Sequence, residues 1–253
     1  MIKFIDKKRI HLSIMQKSLL AVLFIALLSN CTRTTLEPND PTVASAFAVN
    51  VQSARKPYIQ TIVILGSSTA SGVGASAYKY SWAGLLTNQL VLNHVVNLAK
   101  GGYTTYQILP TGSIHAPNRP AVDTLRNLTA ALKEKPAILI VSMTTNDVAN
   151  GYSVSEIIAN LILIKNKAKE AGVKRVIITT SHPRKIDTTA TEKYMLQRDQ
   201  VMNTFGTSAV NFFDPVANED HLFKSELLFK DGIHPNDKGH QVLFEQIRKT
   251  LKY

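Results

Sequence analysis

One residue early in this chain and two close together near its end have the types that do covalent chemistry together, and each stands beside a turn signal. Ser68 sits in Gly66-Ser67-Ser68, directly after the apolar run Ile62-Val63-Ile64-Leu65. Asp231 and His234 sit in Asp231-Gly232-Ile233-His234-Pro235. A serine hydroxyl is a weak nucleophile at neutral pH until a base takes its proton. His234 can be that base. Asp231, three residues earlier, can hold the other ring nitrogen and stabilise the imidazolium. A carbonyl under attack develops an oxyanion, which needs fixed donors. The backbone N–H groups of Ser68 and Gly102 and the side-chain amide of Asn146 can supply three. Each residue also has a plainer reading. Ser68 can cap a helix after a strand, Asn146 and Asp147 can cap the next helix, and Asp231 and His234 can be turn residues. Asp214, at the end of a strand, is a rival acid.

These residues need elements that bring them to one place. Ile62–Leu65 is too short for a helix and rich in β-branched residues, as a buried parallel strand is. Similar runs follow at His94–Leu98, Ala137–Met143, Arg175–Thr180 and Ala209–Phe213. Helical spacing marks Ser81–Leu92, Asp123–Lys133, Val154–Ala171 (ended by Gly172), Ala190–Phe205 and Asp237–Leu251. Strands alternating with helices predict an α/β fold, a five-stranded parallel sheet with helices on both faces. This is a three-layer α/β/α sandwich of flavodoxin-like kind. Chemistry in such sheets gathers at the carboxyl edge, and Ser68, Gly102 and Asn146 each follow a strand. Tyr103–Pro120 reads as a long irregular loop, the kind that is usually functional. Tyr103 and Tyr106 are candidates to line a substrate cleft. His115, His182 and Arg184 read as surface residues on loops bordering the edge, Trp82 as core and His240 as structural.

Taken together, the blocks resemble the GDSL family of serine esterases, also called SGNH hydrolases. Gly66-Ser67-Ser68-Thr69 stands where Gly-Asp-Ser-Leu is usual. Asn97, then Gly102 and Thr104, follow the family's Asn…Gly…Thr run. Thr144-Thr145-Asn146-Asp147 stands for Gly-x-Asn-Asp, and Asp231-Gly232-Ile233-His234-Pro235 for Asp-x-x-His-Pro. The resemblance covers residues 59–251 and implies the SGNH hydrolase fold. It implies Ser68 as nucleophile, His234 as base and Asp231 as its orienting acid. Gly102 and Asn146, with the Ser68 amide, form the oxyanion hole. Two positions depart from the pattern: Ser67 replaces an aspartate that does not react, and Thr144 replaces a glycine of the pocket floor.

The 253 residues carry a net charge of +11. Lys3, Lys7, Lys8, Arg9 and Lys17 against Asp6 place a surplus of four in residues 1–31 and leave +7 for the remainder. No basic run with interleaved aromatics appears, which disfavours nucleic acid as a partner. No grouping of His with carboxylates has metal-ligand spacing, and no Walker-type loop is present. With one cysteine, Cys31, there is neither an internal disulfide nor a Cys-based metal site.

Residues 18–28, SLLAVLFIALL, form an apolar run too short to span a bilayer, between basic residues and Leu28-Ser29-Asn30-Cys31. This layout resembles a bacterial lipoprotein signal. It implies cleavage before Cys31, lipid on that cysteine, and a place in the bacterial cell envelope, in the periplasm or on the outer surface. Met15 is an alternative start to Met1. Residues 32–57 read as a flexible tether, and 58–253 as the hydrolase domain.

The expectation is an ester hydrolase that works through an acyl-serine and needs no cofactor. A small-molecule or polysaccharide ester is its substrate, with deacetylation of carbohydrate foremost. The alternatives are a lysophospholipase or thioesterase on longer acyl chains, or a glycan-binding surface lipoprotein without catalysis.

Overall fold

Five parallel strands order themselves β2-β1-β3-β4-β5. They are β1 (Thr61–Gly66), β2 (His94–Asn97), β3 (Ile138–Ser142), β4 (Arg175–Thr179) and β5 (Ala209–Val210). In this computed structural model the described residues are 60–114, 116–143, 145–185 and 188–252, with backbone alone at 188 and 189. The leader and tether readings, with Cys31 and Met15, lie outside the described residues, as do His115 and Thr144.

Seven helices accompany the sheet in the described residues: α1 (Ser68–Ser71), α2 (Trp82–Gln89), α3 (Leu128–Lys133), α4 (Thr145–Ala149), α5 (Val154–Glu170), α6 (Thr188–Phe205) and α7 (Asp237–Leu251). The central strands β1, β3 and β4 bury both faces, and successive residues point to opposite sides. Val63, Leu65, Leu139, Val141 and Ile178 meet Leu128 of α3, Ile157, Leu161 and Ile164 of α5, and Val201 of α6. Ile62, Ile64, Ile140 and Ile177 meet Trp82 and Leu86 of α2 and Leu243 and Ile247 of α7 on the other side. Each fully buried Leu, Ile or Val contributes roughly 1.5–3 kcal/mol, so the two layers hold the sheet from both faces. Trp82 is core, its ring edge-on to Phe212 at 5.7 Å.

Local side-chain bonds set the helix starts. Ser81, Asn127, Ser153 and Asn236 each accept a backbone N–H of the first turn that follows. Of the elements shorter than their apolar spacing predicts, two are cut short by local side-chain bonds. The helix expected from Asp123 begins at Leu128, because Asp123 instead accepts the Leu125 N–H at 2.9 Å and holds 123–126 in a turn. The fifth strand stops at Val210, because the Asn211 side chain accepts the N–H groups of Phe213 and Asp214 at 2.9 and 3.0 Å. Asp214 therefore opens a short 3-10 turn rather than closing a strand.

Candidate active site

β1 ends at Gly66, and Ser67 leads at once into α1, so Ser68 is the first helical residue above the carboxyl edge. First-turn N–H groups of a helix have no partner within it, and the Ser68 N–H has no acceptor among the described residues. At the far end of the fold, the loop before α7 turns back over this edge. Its Asp231 Oδ1 accepts the N–H groups of Ile233 and His234 at 2.9 and 3.0 Å.

This turn places His234 between two oxygens. Its Nδ1 lies 2.7 Å from Asp231 Oδ2, and its Nε2 lies 2.7 Å from Ser68 Oγ. Burial alone would raise the Asp231 carboxyl. The His234 backbone N–H, its ring and the Ile233 N–H outweigh that and hold it below the usual carboxylate range. An ionised Asp231 can only accept, so Nδ1–H donates to it and Nε2 is left to accept the Ser68 hydroxyl proton. Gly74 packs closely behind His234. At φ +94° its backbone lies so close that a Cβ would collide with the Pro235 carbonyl and stand 2.9 Å from His234 Cβ.

The Gly101–Gly102 turn lies beside Ser68; a Cβ at Gly101 would stand 3.9 Å from Ser68 Cβ. Tyr103 N–H closes a turn onto the Lys100 carbonyl, with Gly102 at φ +81° inside it. That left-handed conformation suits glycine. It leaves the Gly102 N–H without an acceptor among the described residues. Asn146, in α4, donates one amide hydrogen to the Tyr103 carbonyl at 2.9 Å. Its second amide hydrogen remains to point elsewhere. Asn97 ties the same corner together, donating to the Ala70 carbonyl at 2.8 Å and accepting the Ala99 N–H at 3.0 Å. The arrangement can activate an alcohol and stabilise an oxyanion beside it.

Other residues fall out of the site. Asp214 accepts from Arg198 at 2.6 Å and from Asn211 at 2.6 Å, and is no partner of His234. Tyr103 and Tyr106 are buried rather than lining the cleft at Ser68. The Tyr103 hydroxyl donates to Asp123, and burial together with that carboxylate pushes it up to about 12. The Tyr106 hydroxyl donates to Glu156, which also takes a forked pair from Arg119. Tyr106 does border a separate groove between 109–116 and α5, of about 640 Å³. His240 is structural, as expected: Nδ1 accepts the Trp82 N–H and Nε2 donates to the Val73 carbonyl.

Two supports are not evident in the sequence. His182 is buried rather than superficial, 2% exposed. Its Nδ1–H donates to the Pro183 carbonyl at 2.8 Å, so its Nε2 accepts from the hydroxyl of Thr69, also at 2.8 Å. Asp147 is likewise buried, accepting the N–H and hydroxyl of Thr105. Burial outweighs these bonds and raises its carboxyl to about 6. The Asn-Asp pair had signalled a cap; nothing local signals a carboxylate that fastens the Gly102 loop. Arg184 donates to the Tyr194 hydroxyl at 3.3 Å, which donates to the Thr145 carbonyl at 3.0 Å. The exit of β4 is thereby linked to the residue before Asn146.

Residues 64–242 match the model of the GDSL-like lipase/acylhydrolase family. The chain belongs to that family. Within reach of this GDSL-family chain is esterase TesA of Pseudomonas aeruginosa, 26% identical over 195 residues, spanning 76% of this chain and 88% of that protein. A crystal structure of TesA superposes with a TM-score of 0.59 at 21% identity, over 76% of this chain and 98% of the other. The psychrotrophic esterase EstA from Pseudoalteromonas sp. gives 0.57 at 20% identity, over 76% and 97%. These likenesses establish the GDSL fold, in accord with the strand order.

Proposed function

We propose that this GDSL-family esterase works through an acyl-Ser68 intermediate and removes short acyl groups, acetyl foremost, from carbohydrate. The observation that carries the mechanism is the unbroken Ser68–His234–Asp231 hydrogen-bond chain. Ser68 Oγ attacks the ester carbonyl as its proton passes to His234 Nε2. The resulting oxyanion lies among the Ser68 and Gly102 N–H groups and the free Asn146 amide hydrogen. Collapse returns the electron pair, breaks the bond to the alcohol oxygen, and His234 hands the proton to that leaving group. Water then repeats the sequence on the acyl-enzyme and restores Ser68.

What supports short acyl groups is the character of the rim. Among the described residues of 66–76, 99–106, 142–149 and 231–236, Val73, at 41%, is the exposed large apolar side chain, while Tyr103, Tyr106, Met143 and Val148 are buried. A long acyl chain gains from a continuous apolar trough, which these segments do not offer. The proposal includes lipid on Cys31 and a place in the cell envelope, supported by the basic-then-apolar run that ends at this cysteine.

Nitrophenyl esters of graded chain length test the reading. Acetate is the preferred acyl group, and acetylated polysaccharide releases acetate. Preference for chains of about eight carbons or more overturns the short-acyl assignment. Ser68→Ala removes turnover by at least about a thousandfold; full activity in that variant overturns the mechanism.

A further inference from the structure

The edge of the sheet opposite Ser68 is a basic platform. All five strands start there, at Thr61, His94, Ile138, Arg175 and Ala209. Helices α3, α5 and α7 run back and finish there. Their ends and the following turns expose Lys133, Lys135, Lys169, Arg175, Lys249 and Lys252. The acids at the same helix ends are Glu134 and Glu170, and Glu170 is engaged by Lys167 at 2.8 Å. Among the described residues Lys133, Lys135, Lys249 and Lys252 form no ion pair. Lys169 and Arg175 reach backbone carbonyls, of Lys174 and Thr250, rather than carboxylates.

Two further features share the platform. Val91 and Leu92, between α2 and β2, are 80% and 54% exposed. Beside them the chain enters β1. Gln60 donates its N–H to Asn93 Oδ1 at 3.1 Å and accepts the His94 N–H at 3.0 Å. The described residues enter the domain at this edge. The catalytic edge has a different character: Lys100, Lys185, Lys230 and Lys238 share it with Asp123, Glu226, Asp231 and Asp237.

We propose that this platform rests on an anionic phospholipid surface. Its cations face headgroup phosphates, and Val91 and Leu92 touch the acyl boundary. Clustered Lys and Arg near such a surface are attracted within a screening length, and a small apolar tip deepens the contact. The geometry then points Ser68 away from the lipid. A six-residue strand at about 3.3 Å per residue stands the active site roughly 20 Å from the surface. Esters held in the same membrane are out of its reach, and substrate arrives from the aqueous side.

Lysine acetylation read by mass spectrometry tests this on the full chain with vesicles. On vesicles containing phosphatidylglycerol, Lys133, Lys135, Lys249 and Lys252 react several-fold more slowly, while Lys100 and Lys230 are unchanged. Pure phosphatidylcholine gives no such contrast, and salt at about 1 M, where screening falls to about 3 Å, abolishes it. In the joint variant Lys133→Glu, Lys135→Glu, Lys249→Glu, Lys252→Glu, the remaining platform lysine Lys169, protected on phosphatidylglycerol vesicles in the parent chain, is no longer protected, while turnover of a soluble ester is kept. Equal labelling of both edges overturns the proposal, as does protection of Lys100 and Lys230 instead. Equal protection by a soluble anionic polysaccharide overturns the lipid assignment.

Discussion

The hydroxyl of Thr69 donates to His182 Nε2 at 2.8 Å, joining the residue after Ser68 to the exit of β4 across 113 positions of sequence. Thr69 is thereby fixed from behind, and Ser68 with it. Thr69→Val keeps the shape but leaves a buried ring nitrogen unsatisfied, at a cost of about 1–3 kcal/mol. Thermal unfolding shows the loss, and kcat falls as Ser68 loses its alignment. Thr69→Ser restores both.

Acid sensitivity follows from the same ring. Burial lowers His182 to about 3 and His240 to about 4, from an ordinary 6.5. Between those values the unfolded chain binds protons that the folded chain refuses, so stability falls as pH drops below 6.5. Asp147 acts the other way. Raised from 3.8 to about 6, its stabilising effect is present in acid and lost as pH rises through about 6. Two histidines outweigh one aspartate, so the melting temperature is lower at about pH 5 than at about pH 7.5. Asp147→Asn steepens that fall, and melting curves across this range check both statements.

Asp231 and Asp214 separate catalysis from surface pairing. Asp231→Asn leaves His234 without a carboxylate, and kcat falls by about a hundredfold or more. Asp214→Asn removes a half-exposed ion pair with Arg198, changes stability by less than about 1 kcal/mol, and leaves turnover intact. Steady-state kinetics on one soluble ester distinguish them.

Asn146→Ala removes the proposed oxyanion donor and the tie to the Tyr103 carbonyl together. Turnover falls about a hundred- to a thousandfold with a smaller change in KM. Gly102→Ala has open space for its methyl group, yet φ +81° is unfavourable to it, so its effect comes through backbone strain. Both variants remain folded by circular dichroism.

The loop between β2 and α3 is clasped by Arg119 and Glu156. The Arg119 pairing brings Glu156 to about 2, against the opposing pull of burial and with help from the Tyr106 hydroxyl. Arg119 also stacks on Tyr152 at 4.1 Å. Glu156→Gln opens the clasp, and limited proteolysis cuts faster within 107–127 than in the parent chain. Equal cleavage rates would contradict this role.

Much of this was readable from short-range pattern. The Ser68 turn and the Asp231–His234 segment are local blocks, and the geometry joins them. Helix α7 has its expected bounds because Asn236 caps it through the Gly239 N–H at 3.1 Å. The short helices α1 and α4 have too few residues to show a helical period. His182 lies in a polar-looking segment, and only the tertiary approach of Thr69 and Phe223 makes it core. Tyr103 and Tyr106 look like cleft residues because their carboxylate partners, Asp123 and Glu156, are 20 and 50 positions away.

Ser68 leaves the first strand of the domain, while His234 comes after all five and just before α7. A chain emerging from the ribosome thus carries the alcohol long before it carries the imidazole. On the proposed mechanism, a domain that ends before His234 holds only an unactivated hydroxyl at Ser68.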